Sequence, residues 1–182
     1  MTVVDGWLTP TRLIGLIAYL FATIACCVAW RRSREIPDGR RLAAILGLVD
    51  ASLLLDMAIN GRWLIHQLID NRAMANGTYN QRNGSQVTAL VILCAIALVG
   101  SGIAFLRCRG RYNAVLAICG VVISVCFWCA EIVSLHAVDA VLYHAIFGIM
   151  PISLMWVVSS LMTGIGILRE TQVRVGIYTG VT

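Results

Sequence analysis

Two stretches of the chain carry no charge over the thickness of a membrane. Residues 13–30 form one uncharged run and residues 87–106 a second. A bilayer core of roughly 30 Å needs about 20 apolar residues in a helix, with a workable range near 17–25. In hydrocarbon every backbone N–H and C=O must be satisfied within the segment, so such runs predict spanning helices.

Composition supports this class. Of the 182 residues 59% are apolar or aromatic and 13% are charged, with a mean hydropathy of +0.85. Soluble domains hold about 45–50% apolar and about 25% charged residues. Disorder is excluded by the same figures. The net charge of +5 is explained by membrane topology before any nucleic-acid partner, and none is expected. Every basic residue is Arg, so Schiff-base and ammonium chemistry is excluded.

The remaining spans follow from where polar residues interrupt the apolar sequence. Residues 42–70 begin apolar and then meet Asp50, Asp56, Asn60, Arg62, His66 and Asp70. Residues 112–168 are too long for one crossing and split at Gly148 and Pro151. The reading is an all-α, polytopic transmembrane bundle forming one domain over residues 1–182. Its five spans lie near 13–30, 42–66, 87–106, 113–132 and 147–168. A four-span alternative would have to merge two of these.

Ten of the fourteen Arg fall in segments 31–41, 107–111 and the tail from residue 169, all on one side of a five-span layout. The positive-inside bias places that side in the cytoplasm, with the N-terminus outside and the C-terminus inside. Residues 1–11 hold no basic residue and the arginine cluster follows the first apolar run, the opposite order to a signal peptide, so this run is read as a retained span. The all-Arg usage suggests a GC-rich bacterial source and hence a multi-pass protein of the inner membrane. The basic 31–41 segment is also suited to anionic lipid headgroups.

None of the seven cysteines falls in an expected external loop, which argues against a disulfide framework and for small apolar packing residues. Cys126-Phe-Trp-Cys129 places two thiols on one helical face. Over those four residues it resembles the thiol pair of quinone-linked enzymes of the vitamin K epoxide reductase type. The resemblance implies a second thiol pair in an external segment, and this sequence has none there. Gly100, Ser101, Gly102, Gly164 and Gly166 suit close helix contact. Asn76-Gly-Thr78 and Asn83-Gly-Ser85 match the glycosylation pattern but are read as turns.

The polar residues within and beyond the spans gather toward one side. Charges within a span cost about 2.5–3.5 kcal/mol each on insertion scales and are seldom incidental. On an unbroken second helix Asp56, Asn60, Trp63, Gln67 and Asp70 would form one stripe, with Arg62 and His66 beside it. Beyond Glu131 in the fourth span come His136, Asp139, Tyr143 and His144. All three histidines and Asp56, Asp70, Glu131 and Asp139 thus converge on the expected outer face.

Histidine is the commonest metal ligand, and carboxylates bind directly or orient it. His66, His136 and His144 are therefore candidate ligands for a transition metal or for haem, with Asp70, Glu131 and Asp139 as further metal ligands. Asp56, Asn60, Arg62, Tyr79, Arg82 and Tyr143 would support the site. The loop over residues 71–86 would act as a lid, with Arg82 contacting an anionic group. The alternative is a structural ion-pair network in an accessory subunit, whose partners are the lipid bilayer and other membrane subunits or a second copy. A proton-coupled transporter lacks an inverted repeat or a broken helix pair in the sequence.

Overall fold

The computed structural model describes residues 9–77, 82–133, 142–145 and 149–180. It is an all-α bundle, and five of its helices are long and apolar enough to cross a membrane.

Helix α1 (Pro10–Arg32) starts where Thr9 Oγ1 accepts from Arg12 N at 3.2 Å and Pro10 opens the first turn. Proline is tolerated there because its missing N–H would have no helical partner. The helix ends on Arg31 and Arg32, whose charges suit the negative end of its dipole. Helix α2 (Pro37–Ile59) again opens on Pro, with Asp38 in its first turn. Helix α3 (Gly61–Ala75) follows after one residue, then α4 (Arg82–Arg107), α5 (Tyr112–Val133) and α6 (Ile152–Thr179).

α1 packs against both α2 and α6, and α6 packs against α5. The buried face of α1 is a row of small residues at helical spacing, Gly15, Ala18, Ala22, Ala25 and Ala29, joined by Tyr19 and Cys26. Small residues let helix backbones approach closely, which is where a helix gains contact when lipid is as apolar as the partner. α5 and α6 use the same device. A Cβ on Gly120 would come 2.5 Å from Ser159 O, and one on Gly166 2.6 Å from Ala117 N. Apolar clusters fill both halves of the bundle, one around Cys26, Leu46 and Ile167 and one around Tyr19, Leu53 and Trp156. α4 lies outside this group, against α5.

Several boundaries correct the sequence reading. The second span does not run through residue 66, because α2 ends at Ile59 and Asn60 takes the left-handed conformation (φ 60°, ψ 38°). Its N–H still bonds to Asp56 O, while its own C=O accepts from Trp63 N and Leu64 N as α3 begins. Asn is among the few non-glycine residues that visit this region readily. The proposed lid over residues 71–86 is largely helical, since α3 reaches Ala75 and α4 begins at Arg82. Asn76-Gly77 does turn, with Gly77 at φ +68°, but Asn83 and Gly84 lie inside α4. The helix of the last span continues well past residue 168, to Thr179, before Gly180 stops it at φ +70°.

Candidate functional site

The polar end of the bundle is organised around Arg62, in the first turn of α3. The break at Asn60 sends the chain back over the end of α2 and brings Arg62 Nε to 3.0 Å from Asp56 Oδ2. A Cβ on Gly61 would meet Asp56 Oδ1 at 2.7 Å, so glycine here leaves that carboxylate room to face Arg62. Arg62 Nη1 donates to Glu131 Oε2 on α5. Trp156 Nε1 on α6 donates to the other carboxylate oxygen at 3.0 Å. The Arg62 guanidinium also lies 5.3 Å from the Trp156 ring centroid, a cation–π contact. Three helices and α3 thus meet on one cation.

Burial alone would weaken the charge on Arg62. Glu131 first and then Asp56 outweigh it and hold the guanidinium pKa above its ordinary value. Arg62 is therefore a permanent positive charge between two carboxylates.

Arg12, at the start of α1, makes a second closure. Its Nε donates to Met57 O at 2.9 Å, and its Nη2 donates to Met57 O at 2.7 Å and Ala58 O at 3.1 Å. These are among the last carbonyls of α2, which lack helical partners. Thr11 Oγ1 accepts from Met150 N at 3.1 Å and ties the approach to α6 into the same end. Between these groups lies a cleft of about 420 Å³, its wall including Arg12, Arg62, Trp63, His66, Tyr143 and Trp156.

The sequence candidates divide into four groups. Asp56, Arg62 and Glu131 form one ion-paired unit. His66, Asn60 and Tyr143 line the cleft beside it, and His66 Nδ1 lies 3.2 Å from Ile132 O. His144 is described and exposed. Tyr79, His136 and Asp139 lie outside the described residues, as do the side chains of Asp70 on α3 and Arg82 on α4. The single stripe from Asp56 to Asp70 is lost, because the turn at Asn60 rotates α3 away from α2. Among the described residues, no group of three His, Cys, Asp or Glu is placed to hold a metal ion. All seven cysteines are free.

Arg12 and Trp156 are the site residues that the sequence reading missed. Arg12 has a readable signal, since it falls at the same depth as the C-terminus of α2. Trp156 has none, because an aromatic inside an apolar run reads as core.

Deeper in the bundle, Asp50 is fully buried on the α2 stripe that carries Leu46 and Leu53. Neither of its carboxylate oxygens has a hydrogen-bond partner among the described residues. Ser124 Oγ and Ser159 Oγ bond at 2.8 Å between α5 and α6. Comparison with protein-family models, curated proteins and solved structures finds no match to this chain.

Proposed function

We propose that the chain is a non-catalytic accessory subunit of a larger membrane protein assembly, in the inner membrane of a bacterium. Its polar cluster is a structural network that fastens helix ends together. The observation that carries this reading is the engagement of Arg62 with Asp56, Glu131 and the Trp156 ring. A cation committed to protein groups on α2, α5 and α6 fixes helix positions and leaves little capacity for a substrate. α4 supports the assembly role. Its spanning segment has no buried residue, and a Cβ on Gly100 or Gly102 would meet nothing within 4 Å among the described residues.

The metal or haem reading keeps one specific support. A ring Nδ1 bonded to a backbone carbonyl is the arrangement that orients a ligating histidine, and His66 has it at the edge of the cleft.

Metal analysis, an absorption spectrum and native electrophoresis of membranes solubilised in mild detergent separate the two. The accessory role predicts a metal-free, colourless protein migrating well above the 19.8 kDa chain with its detergent. A stoichiometric metal or a Soret band, lost in His66→Ala, would overturn it in favour of the ligand site. Monomeric migration would overturn it as well.

A further inference from the structure

The arginine-rich end carries a second cleft, unrelated to the polar cluster. We propose that it binds the phosphate headgroup of an anionic glycerophospholipid, with the acyl chains lying along the exposed face of α6.

The cleft, of about 430 Å³, lies between the start of α5 and the last turns of α6. Its geometry begins with the short turn joining α4 to α5. Gly110 takes φ +83°, and Arg111 N bonds back to Cys108 O at 2.8 Å. That turn sets Arg111 against α6, where its Nε donates to Glu170 Oε1 at 2.7 Å. Arg174, one helical turn along α6, donates its own Nε to the same oxygen at 2.8 Å. Glu170 is buried. Two guanidinium groups therefore share one carboxylate, which leaves a local excess of one positive charge.

Both Nε donors are used on Glu170, but the Arg111 fork is not exhausted. Its Nη2 is buried and has no hydrogen-bond partner among the described residues. A buried donor left without an acceptor costs about 1–3 kcal/mol, and a phosphate oxygen matches the fork geometry of a guanidinium.

The surroundings select a lipid over a free anion. Val173 and Ile177, one turn apart on α6, are 51% and 68% exposed and form an apolar wall of the cleft. Tyr112 and Tyr178 stand exposed at its rim, as aromatic rings do at headgroup depth. Toward the bilayer from Glu170 the exposed face of α6 carries Leu161 and Ile165, 42% and 38% exposed, which a phospholipid's acyl chains can cover and a free phosphate cannot. The site also lies on the side that the arginine bias places in the cytoplasm, where anionic lipids attract basic groups.

The test is thermal unfolding of the detergent-purified full chain, titrated with phosphatidylglycerol, phosphatidylcholine or sodium phosphate. Phosphatidylglycerol should raise the midpoint saturably, and the other two should not. Arg111→Lys keeps the charge facing Glu170 but removes the fork, and should weaken the response about tenfold, the size of one charge-assisted hydrogen bond. Ile177→Asp leaves both ion pairs intact at an exposed position and should weaken the response by charge repulsion. Equal responses to both lipids, or an unchanged phosphatidylglycerol response in both variants, would overturn the proposal. A saturable response to sodium phosphate alone would assign the cleft to a free oxyanion and overturn the lipid.

Discussion

Arg62 on α3 donates to Glu131 on α5 across 69 positions of the chain. The same guanidinium holds Asp56 at 3.0 Å, so one cation stands between two carboxylates with little solvent access. Removing one member of a buried pair costs about 3–5 kcal/mol, because the remaining charge is left unpaired. The triad makes the three losses unequal. Arg62→Met should be the most damaging, since it leaves two carboxylates facing each other. Glu131→Leu should follow, as it frees Arg62 from its more buried partner and takes the acceptor from Trp156 Nε1. Asp56→Asn should cost only about 1 kcal/mol, because the amide oxygen still accepts and Arg62–Glu131 remains neutral as a pair. Thermal or SDS-induced unfolding in micelles ranks them, and a most severe Asp56→Asn would refute this assignment of roles.

The turn that delivers Arg62 depends on two adjacent residues for different reasons. Asn60 holds φ 60°, which glycine adopts freely and alanine does not. Asn60→Gly should leave stability nearly unchanged, while Asn60→Ala should lose about 1–2 kcal/mol. Gly61 has an ordinary backbone but lies against Asp56 Oδ1. Gly61→Ala should therefore act through the ion pair, displacing Asp56 from Arg62. A double-mutant cycle with Asp56→Asn checks this, since the Gly61→Ala penalty should shrink once the carboxylate is gone.

What was legible in the sequence was whatever depended on local composition. Each of the five spans is a run of apolar residues, and a run can be counted. The break at Asn60 was hidden because apolar residues continue on both sides of it, masking an Asn-Gly dipeptide at residues 60–61. The same dipeptide at 76–77 does turn, and the one at 83–84 is absorbed into α4. Local chemistry offers a turn, and only tertiary partners decide whether it is taken. At 60–61 those partners are Asp56, Arg62 and Glu131. That Asp56, Arg62 and Glu131 gather at one end as an ion-pair network was readable, but that one arginine holds both carboxylates was not. The helical wheel that grouped Asp56 with Asp70 assumes one continuous axis, which the chain does not have. Glu170 with Arg174 was readable from its four-residue spacing. Arg111 joins that pair only through the α4–α5 turn.

Asp50 contrasts with Glu131. Both are buried carboxylates, but Glu131 receives Arg62 and Trp156, whereas Asp50 has no hydrogen-bond partner among the described residues. An unmet buried polar group lowers stability, and an apolar residue of similar size removes that cost. Asp50→Leu should raise the unfolding free energy by about 1–3 kcal/mol, with the opposite sign to Glu131→Leu. If stability is gained and a cellular phenotype appears, Asp50 is retained for its chemistry. If Asp50→Leu destabilises as Glu131→Leu does, the carboxylate has a stabilising partner and the contrast fails.

The glycines separate contacts within the chain from contacts beyond it. A methyl group on Gly120 or Gly166 would run into the backbone of the facing helix, at Ser159 O and Ala117 N. Backbone has no rotamer with which to yield, so Gly120→Ala and Gly166→Ala should each lose about 1–3 kcal/mol by forcing α5 and α6 apart. A Cβ on Gly100 or Gly102 of α4 would meet nothing within 4 Å among the described residues. There alanine should leave the isolated chain unchanged, or up to about 1 kcal/mol more stable through helix propensity. In native membranes the expectation differs for those two positions. If α4 seats on a partner helix through its small residues, the doubly substituted chain should fold normally yet run at lower mass on native electrophoresis. An unchanged assembly would place the partner contact on another face and remove α4 from the accessory-subunit reading.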